Sequence, residues 1–443
     1  MPNNKIPNIR FKGFNQEWEE AKLSTKFDFD VPHNSLSRDK LNNENGEVQD
    51  IHYGDILIKY GSVVDAHKDK IPYITNSNES DYASERLADG DIIFADTAED
   101  ETAGKAIEIQ NTQSNCVVAG LHTIVARPNT EFSSNYLGHC LNSASFHSKM
   151  IPLLQGIKVL SISKSTLADL SFSFPSDRSE QQKIGSFFRA LDELIAAKEE
   201  ELEKLRQLKA ALLEQMFPRS DAENSNRGGY NNLIINYLDK LNMTLSSAPN
   251  TPPIRFKGFT EPWEKKKFGD YGNVSMCKRV MKHQTSVRGE IPFFKIGTFG
   301  KEADAYISRE LFTYLRKNFE YPKKGDILIS AAGTLGRSVV FDGQDQYFQD
   351  SNIVWLNHNG KLYNPFLKLS YGVVKWNSVE GSTLKRLYNS NILNTEFYVP
   401  SDKEQQKIGN FFRQQDEVIN AAHEQIKKLS IIKQALLQKM FAA

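Results

Sequence analysis

Cysteine is scarce in this sequence. Its three cysteines among 443 residues, Cys116, Cys140 and Cys277, are odd in number and far apart, which excludes a disulfide framework. Long apolar runs are missing: none approaches the ~18–20 residues that a membrane helix needs. The leading Met-Pro-Asn-Asn-Lys-Ile-Pro lacks the apolar stretch of a signal peptide. The nine histidines are scattered, with no Cys-x-x-Cys or His-x-x-x-His pair, so no zinc or other metal site is expected. Net charge is missing too, because 55 Lys and Arg balance 55 Asp and Glu. The simplest argument for nucleic-acid binding, a global basic excess, falls away. The expectation is a soluble, cytoplasmic, multidomain protein.

The charge is divided rather than absent. Residues 1–175 carry 16 Lys and Arg against 24 Asp and Glu, whereas residues 252–398 carry 22 against 14. An acidic region and a basic one cancel.

The division follows an internal repeat. The run Pro7-Asn8-Ile9-Arg10-Phe11-Lys12-Gly13-Phe14, with Trp18 after it, returns as Pro253-Ile254-Arg255-Phe256-Lys257-Gly258-Phe259 with Trp263. Further on, Ile71-Pro72-Tyr73 returns as Ile291-Pro292-Phe293, and Gly90-Asp91-Ile92-Ile93 as Gly325-Asp326-Ile327-Leu328. Pro175-Ser176-Asp177 and Glu180-Gln181-Gln182-Lys183-Ile184-Gly185 return as Pro400-Ser401-Asp402 and Glu404-Gln405-Gln406-Lys407-Ile408-Gly409. The order is kept over units of about 200 residues, far longer than a solenoid repeat, so two large modules are duplicated.

Each module opens strand-rich. Asp55–Ile58, Asp91–Phe94 and Asp326–Ile329 are short apolar runs entered through a Gly-Asp turn, and residues 121–125 and 353–356 are further strand candidates. Residues 135–150 and 365–376 read as short helices. Each module closes on a long helix whose seam steps 4,3,4,3. In the first copy the seam is Ile184, Phe188, Leu191, Ile195, Lys198, Leu202, Leu205, Lys209, Leu212 and Met216. In the second it is Ile408, Phe412, Gln415, Ile419, Ala422, Ile426, Leu429, Lys433, Leu436 and Met440. This is a coiled-coil pattern, and the expectation is that the two helices pair with each other. Lys209 and Lys433 hold matched seam positions, where a charge costs stability and specifies register or orientation. The layout is therefore a globular domain over 1–175, a helix over 176–217, a linker over 218–251 with a short amphipathic helix at 232–245, a second globular domain over 252–398 and a helix over 399–443.

Two tandem modules of this kind, with Arg-Phe-Lys-Gly-Phe-x-x-x-Trp at the start, Pro-x-x-x-x-Glu-Gln-Gln-Lys-Ile before each helix, Leu-Leu-x-x-Met-Phe at its end, and Gly333-Thr334-Leu335-Gly336-Arg337 after Gly-Asp-Ile-Leu-Ile, resemble the specificity subunit of a Type I restriction-modification enzyme. The resemblance implies an α+β fold: two tandem strand-rich target-recognition domains, each followed by a long α-helix, the helices pairing as an antiparallel coiled coil. It implies that each domain reads half of an interrupted double-stranded DNA site and that the helices set the spacer. The chain itself would be non-catalytic and hold no cofactor. Its partners would be two modification subunits, which methylate adenine N6 with S-adenosylmethionine, and restriction subunits, which use ATP and Mg. The first module departs from the pattern. It lacks the Gly-Thr-Leu-Gly-Arg loop and carries Asp96–Lys105 instead.

Catalytic motifs fit this picture by their absence. Asn364-Pro365-Phe366 lacks a proline of an adenine methyltransferase segment. Gly333–Ser338 has two residues between its glycines where a phosphate loop has four.

Base reading needs Arg or Lys for guanine and Asn or Gln for adenine, on loops held by a rigid scaffold. Matched loops offer Thr75, Asn76, Ser77 and Asn78 against Lys295 and Thr298; Lys105 against Arg337; and Lys158 and Lys164 against Lys385 and Arg386. Two other readings stay open at this stage: a structural coiled-coil scaffold with tandem ligand-binding domains and no nucleic acid, and a silent specificity gene product. An enzyme such as a nuclease or single-chain modification protein is disfavoured by the missing motifs.

Overall fold

The computed structural model describes residues 5–218, 238, 240–246, 248–376 and 386–442. The chain forms two compact units, residues 1–201 with 422–443 and residues 202–421. Two continuous 38-residue helices, Arg178–Gln215 and Asp402–Lys439, each contribute one part to each unit. Among the described residues no helix is long and apolar enough to cross a membrane.

In the first unit a five-stranded sheet has the order Phe27–Asp28, Thr123–Pro128, Ile92–Ala95, Ala106–Gln110 and Val63–Asp65. Its central strands are buried on both faces, which explains their unbroken apolar runs. A four-stranded sheet, Cys116–Ala119, Val48–Ile51, Tyr73–Ile74 and Leu41–Asn42, lies beside it in the same unit. The second unit has a four-stranded sheet ordered Asn273–Met276, Ile353–Asn357, Ile327–Ser330 and Ser338–Val340. It also has a three-stranded one, Tyr306–Ile307, Ile291–Phe294 and Tyr347–Phe348. The fold is α+β, strand-rich domains with long helices packing against each other.

Two expectations are corrected. Residues 55–58 do not form a strand: Tyr53–Ile58 is a helix, because His52 Nδ1 accepts a hydrogen bond from Gly54 N and caps its start. Of the short helix expected at 232–245, residues 232–237 and 239 lie outside the described residues, as does most of the expected linker, and Leu238 and Lys240 are helical. Met243–Leu245 is a strand, drawn into antiparallel pairing with Ile254–Phe256 and burying Met243 in the second unit's core.

The repeated motifs tie each module's beginning to its helix. Arg10 donates through Nε and Nη2 to the Glu180 carboxylate at 2.6 and 2.7 Å, and Arg255 does the same to Glu404 at 2.7 and 2.8 Å. Such bidentate pairs are strong and geometrically selective. Gly13 and Gly258 turn the chain behind these arginines at φ +99° and +92°, a conformation open to glycine. Gln181 and Gln405, both buried, each bridge two backbone groups: their Oε1 atoms accept from Ser133 N and Tyr363 N, and their Nε2 atoms donate to Pro175 O and Pro400 O.

The far end of each helix completes the core of the other module. In the first unit Phe441 packs edge-on to Trp18 at 6.2 Å and stacks on Phe188 at 5.8 Å. In the second, Phe217 packs edge-on to Trp263 and stacks on Phe366, both at 5.6 Å. The helices therefore run antiparallel in each unit.

The seam lysines find acids across the pair. Lys433 Nζ lies 2.5 Å from Asp192 Oδ1, and Lys209 Nζ pairs with Asp416 Oδ1. From Asp192 to Lys209 is 17 residues forward, and from Lys433 to Asp416 is 17 back, so both pairs report one register. Burial raises the Asp192 carboxyl's pKa, but hydrogen bonds from His139 and Lys433 outweigh it and hold it below the ordinary value. All the seam positions in both helices are buried or half-buried.

Candidate nucleic-acid interface

The second module gathers its loops around one frame. Leu387 N donates to Ala331 O at 2.8 Å, and Ala332 bridges to Arg386, so the third loop is fastened to the end of strand Ile327–Ser330. Ala331 N donates to Asn352 O at 2.8 Å, bringing in the turn before strand Ile353–Asn357. Arg337 N donates to Ser330 Oγ, while its Nη2 donates to Ile296 O at 2.9 Å and its guanidinium lies 5.4 Å over the Phe299 ring. Gly336 is needed here, because a Cβ would stand 2.1 Å from Trp376 Nε1. Lys295 pairs with Asp304 at 2.9 Å and accepts on its carbonyl from Thr298 Oγ1, closing the first loop. Arg386 Nη2 donates to Ser351 O. Lys295, Thr298, Arg337 and Arg386 are thus brought into one half-exposed donor surface, while Lys385 lies outside the described residues.

The first module has the same frame with different contents. Ile162 N donates to Asp96 O at 2.9 Å, Asp96 N donates to His122 O at 3.0 Å, and Thr97–Ala98 pairs with Leu160–Ser161. Loops 97–105 and 158–164 are brought together as in the second module. Lys158 sits between Ile157 and Val159, exposed at the tip of a loop closed by Gln155 and Ser161. Lys164 Nζ donates to Phe29 O. Lys105 turns inward: its ammonium donates to Leu57 O and Tyr60 O, and burial lowers its pKa. Thr75, Asn76, Ser77 and Asn78 sit at the edge of the four-stranded sheet. Their hydrogen bonds run to Lys40 O, Asn42, Ile74 O and Asp81.

Residue-by-residue reading passed over a cluster in this frame. Asp96 Oδ1 lies 3.3 Å from His122 Nδ1. His122 takes φ +56°, a left-handed conformation that His tolerates better than most residues. Its ring meets Tyr53 edge-on at 5.2 Å, and Tyr53 packs on His52 at 4.7 Å. Burial raises the Asp96 pKa, with His122 and His33 opposing it. Only the repeat carried a signal: Asp96 stands one residue beyond the strand, where the second module has Ala331.

The methyltransferase-like Asn364-Pro365-Phe366 is structural. Asn364 Nδ2 donates to Gly325 O, its Oδ1 meets His358 Nε2 at 2.7 Å, and Phe366 fills the core. Among the described residues no group of three or more His, Cys, Asp or Glu side chains is placed to hold a metal ion.

Residues 39–207 and 260–429 match the Type I restriction modification DNA specificity domain. The chain is 33% identical over 359 residues, 80% of its length and 82% of the relative's, to a protein of Haemophilus influenzae provisionally assigned as a type I restriction enzyme specificity subunit. Among solved structures it is similar in fold to the S subunit of a Type I restriction-modification system from M. genitalium. The TM-score is 0.57 at 16% identity, covering 98% of this chain and 99% of that one. A second similar chain comes from work on complex assembly and conformational transition of the type I R-M system, with TM-score 0.53 at 14% identity, covering 95% and 96%.

Proposed function

The chain belongs to the Type I restriction-modification DNA specificity family, as a non-catalytic specificity subunit with two target-recognition domains, and from that premise we propose how it works. Each domain reads one half of an interrupted double-stranded DNA site, and the paired helices set the length of the unread spacer. Two modification subunits dock on the chain and methylate adenine N6 with S-adenosylmethionine. Restriction subunits, driven by ATP with Mg, join that assembly. The target adenine must leave the base stack to be methylated, so the chain's task is to deliver the right base pair to a bound methyltransferase.

The observation that carries this reading is the pair of seam contacts, Lys433–Asp192 and Lys209–Asp416, which give both units the same antiparallel register. A fixed register is what a ruler requires. Docking surface for the modification subunits is offered at matched exposed apolar positions outside the seam, Leu194 and Val418, exposed by 45% and 50%. Lys295, Thr298, Arg337, Lys385 and Arg386 serve the second half-site. Thr75 to Asn78, Lys158 and Lys164 serve the first, and Lys105 supports its loop from below.

The test is to add one heptad to each helix at matched positions. Cells carrying the variant with its modification subunit should methylate a site with a longer spacer and unaltered half-sites. An unchanged spacer would refute the ruler.

A further inference from the structure

The two modules hold opposite chemistry at the same point of the same frame. In the second, the carbonyl of Ala331 anchors the loop that bears Arg386, and Arg337 stands beside it. In the first, the equivalent carbonyl belongs to Asp96, whose side chain faces His122, with His33 close enough to act on its charge. Guanidinium donors suit the acceptor edge of guanine, whereas a carboxylate accepts from an exocyclic amino group.

We propose that Asp96 is a base-reading residue of the first module, accepting a hydrogen bond from the exocyclic amino group of a cytosine or adenine, with His122 as its positioning residue. This rests on the DNA-reading function proposed above.

Three observations carry it. The carboxylate is committed on one side only: Oδ1 faces His122, and Oδ2 takes no hydrogen bond from the described residues. It is one-quarter exposed, reachable at a surface yet shielded from bulk water. His122 is held from two directions, by the Asp96 N–H on its carbonyl and by the Tyr53 ring on its imidazole, so the carboxylate is aimed before DNA arrives. Preorganised polar groups lose less on binding than mobile ones. Asp96 is one of the acids of a domain that reads an acidic polymer. Its negative side chain works at a base edge, while phosphate contacts fall to Lys158, Lys164 and the partner subunits.

The experiment uses the complete chain with its modification subunit. Methylated sites are mapped across DNA for wild type, Asp96→Asn and His122→Asn, asparagine being a residue that accepts left-handed backbone. Asp96→Asn should change or relax one position of one half-site and reduce methylation of the original site by about tenfold or more. The other half-site, read by the second module, should stay intact and reports a folded complex. His122→Asn should weaken the same position less.

Synthetic duplexes then identify the base. At the affected position 2-pyrimidinone replaces cytosine, or purine replaces adenine, removing only the amino group. Wild type should lose affinity on one of these duplexes, and Asp96→Ala should bind it as well as the parent. Three results would overturn the proposal: an unaltered motif in Asp96→Asn, a uniform loss with no change of motif, or an Asp96→Ala variant that still senses the missing amino group. A wild-type chain that directs no methylation at all would defeat the proposed function itself, and this proposal with it.

Discussion

The first and second modules differ where they face outward and agree where they hold themselves together. Arg10–Glu180 and Arg255–Glu404 have the same bidentate geometry. Trp18–Phe441 and Trp263–Phe217 fill the same corner, and the loop-fastening hydrogen bonds to Asp96 O and Ala331 O match within 0.1 Å. Against this, the frame carries Asp96 in one module and arginines in the other. The difference teaches that frame and display are separable. The buried ionic and aromatic contacts fix where the loops begin, and the loop residues are free to carry either sign.

The strongest way to break the comparison is to break the frame. Arg255 and Glu404 side chains are 4% and 1% exposed, so Glu404→Ala leaves a buried guanidinium unpaired and should cost about 3–5 kcal/mol. Glu180→Ala should cost less, since Arg10 is 11% exposed. Chemical denaturation of the two variants checks both the size and the order.

A pH series sharpens it next. Burial raises the Glu108 pKa despite hydrogen bonds from Asn135 N, Gly138 N and Gln110. Burial also raises that of Asp50, to about 6. A carboxyl whose folded pKa lies above its unfolded value keeps its proton in the folded state after the unfolded chain has lost it. Stability therefore falls as pH rises from about 4 through the folded pKa. Asp50→Asn should flatten that fall between about pH 4 and 6, by on the order of 2–3 kcal/mol, and thermal melts across the range would show it. An unchanged slope would mean that Asp50 ionises freely.

The helix register offers a smaller effect. Lys209 and Asp416 are 26% and 33% exposed, so reversing one charge should cost only about 1 kcal/mol. Lys368 Nζ also lies 3.7 Å from Asp416 Oδ2, so the double reversal, Lys209→Asp with Asp416→Lys, should recover only part of it. A double variant no better than the singles would show that the pair does not set register.

Smallest in free energy, but telling, is salt. Arg337→Ala or Lys295→Ala should lower the salt dependence of DNA binding by about one unit of slope if the residue meets a phosphate. It should leave the slope alone, and change the motif instead, if the residue meets a base.

Much of the fold was legible in the sequence because duplication repeats the signal. The seams could be read twice, and so could the Glu-Gln-Gln helix starts. The partners of the seam lysines could not: Asp192 and Asp416 stand one residue past seam positions Leu191 and Gln415, where a stepwise pattern passes over them. Residues 55–58 misled because a three-residue apolar run after Gly-Asp has too few positions to separate a period of 2 from 3.6, and the deciding group was the His52 cap. At the loops, Lys105 follows a glycine as Arg337 does, but its ammonium is consumed by Leu57 O and Tyr60 O. Asp96, His122 and Tyr53 were invisible as a set, since only the folding of three distant segments joins them.

The exchange of helix ends has a consequence for synthesis. A ribosome makes residues 1–201 first, yet the first domain's core also takes in Met440, Phe441 and Ala442. Trp18 and Phe188 must wait uncovered through the translation of more than two hundred further residues. The second unit, assembled from residues 202–421, can close while its last segment is still being made. The half of the protein that is born first is therefore the half that matures last. A chain cut short before Phe441 would carry an unfinished first domain beside a finished second one.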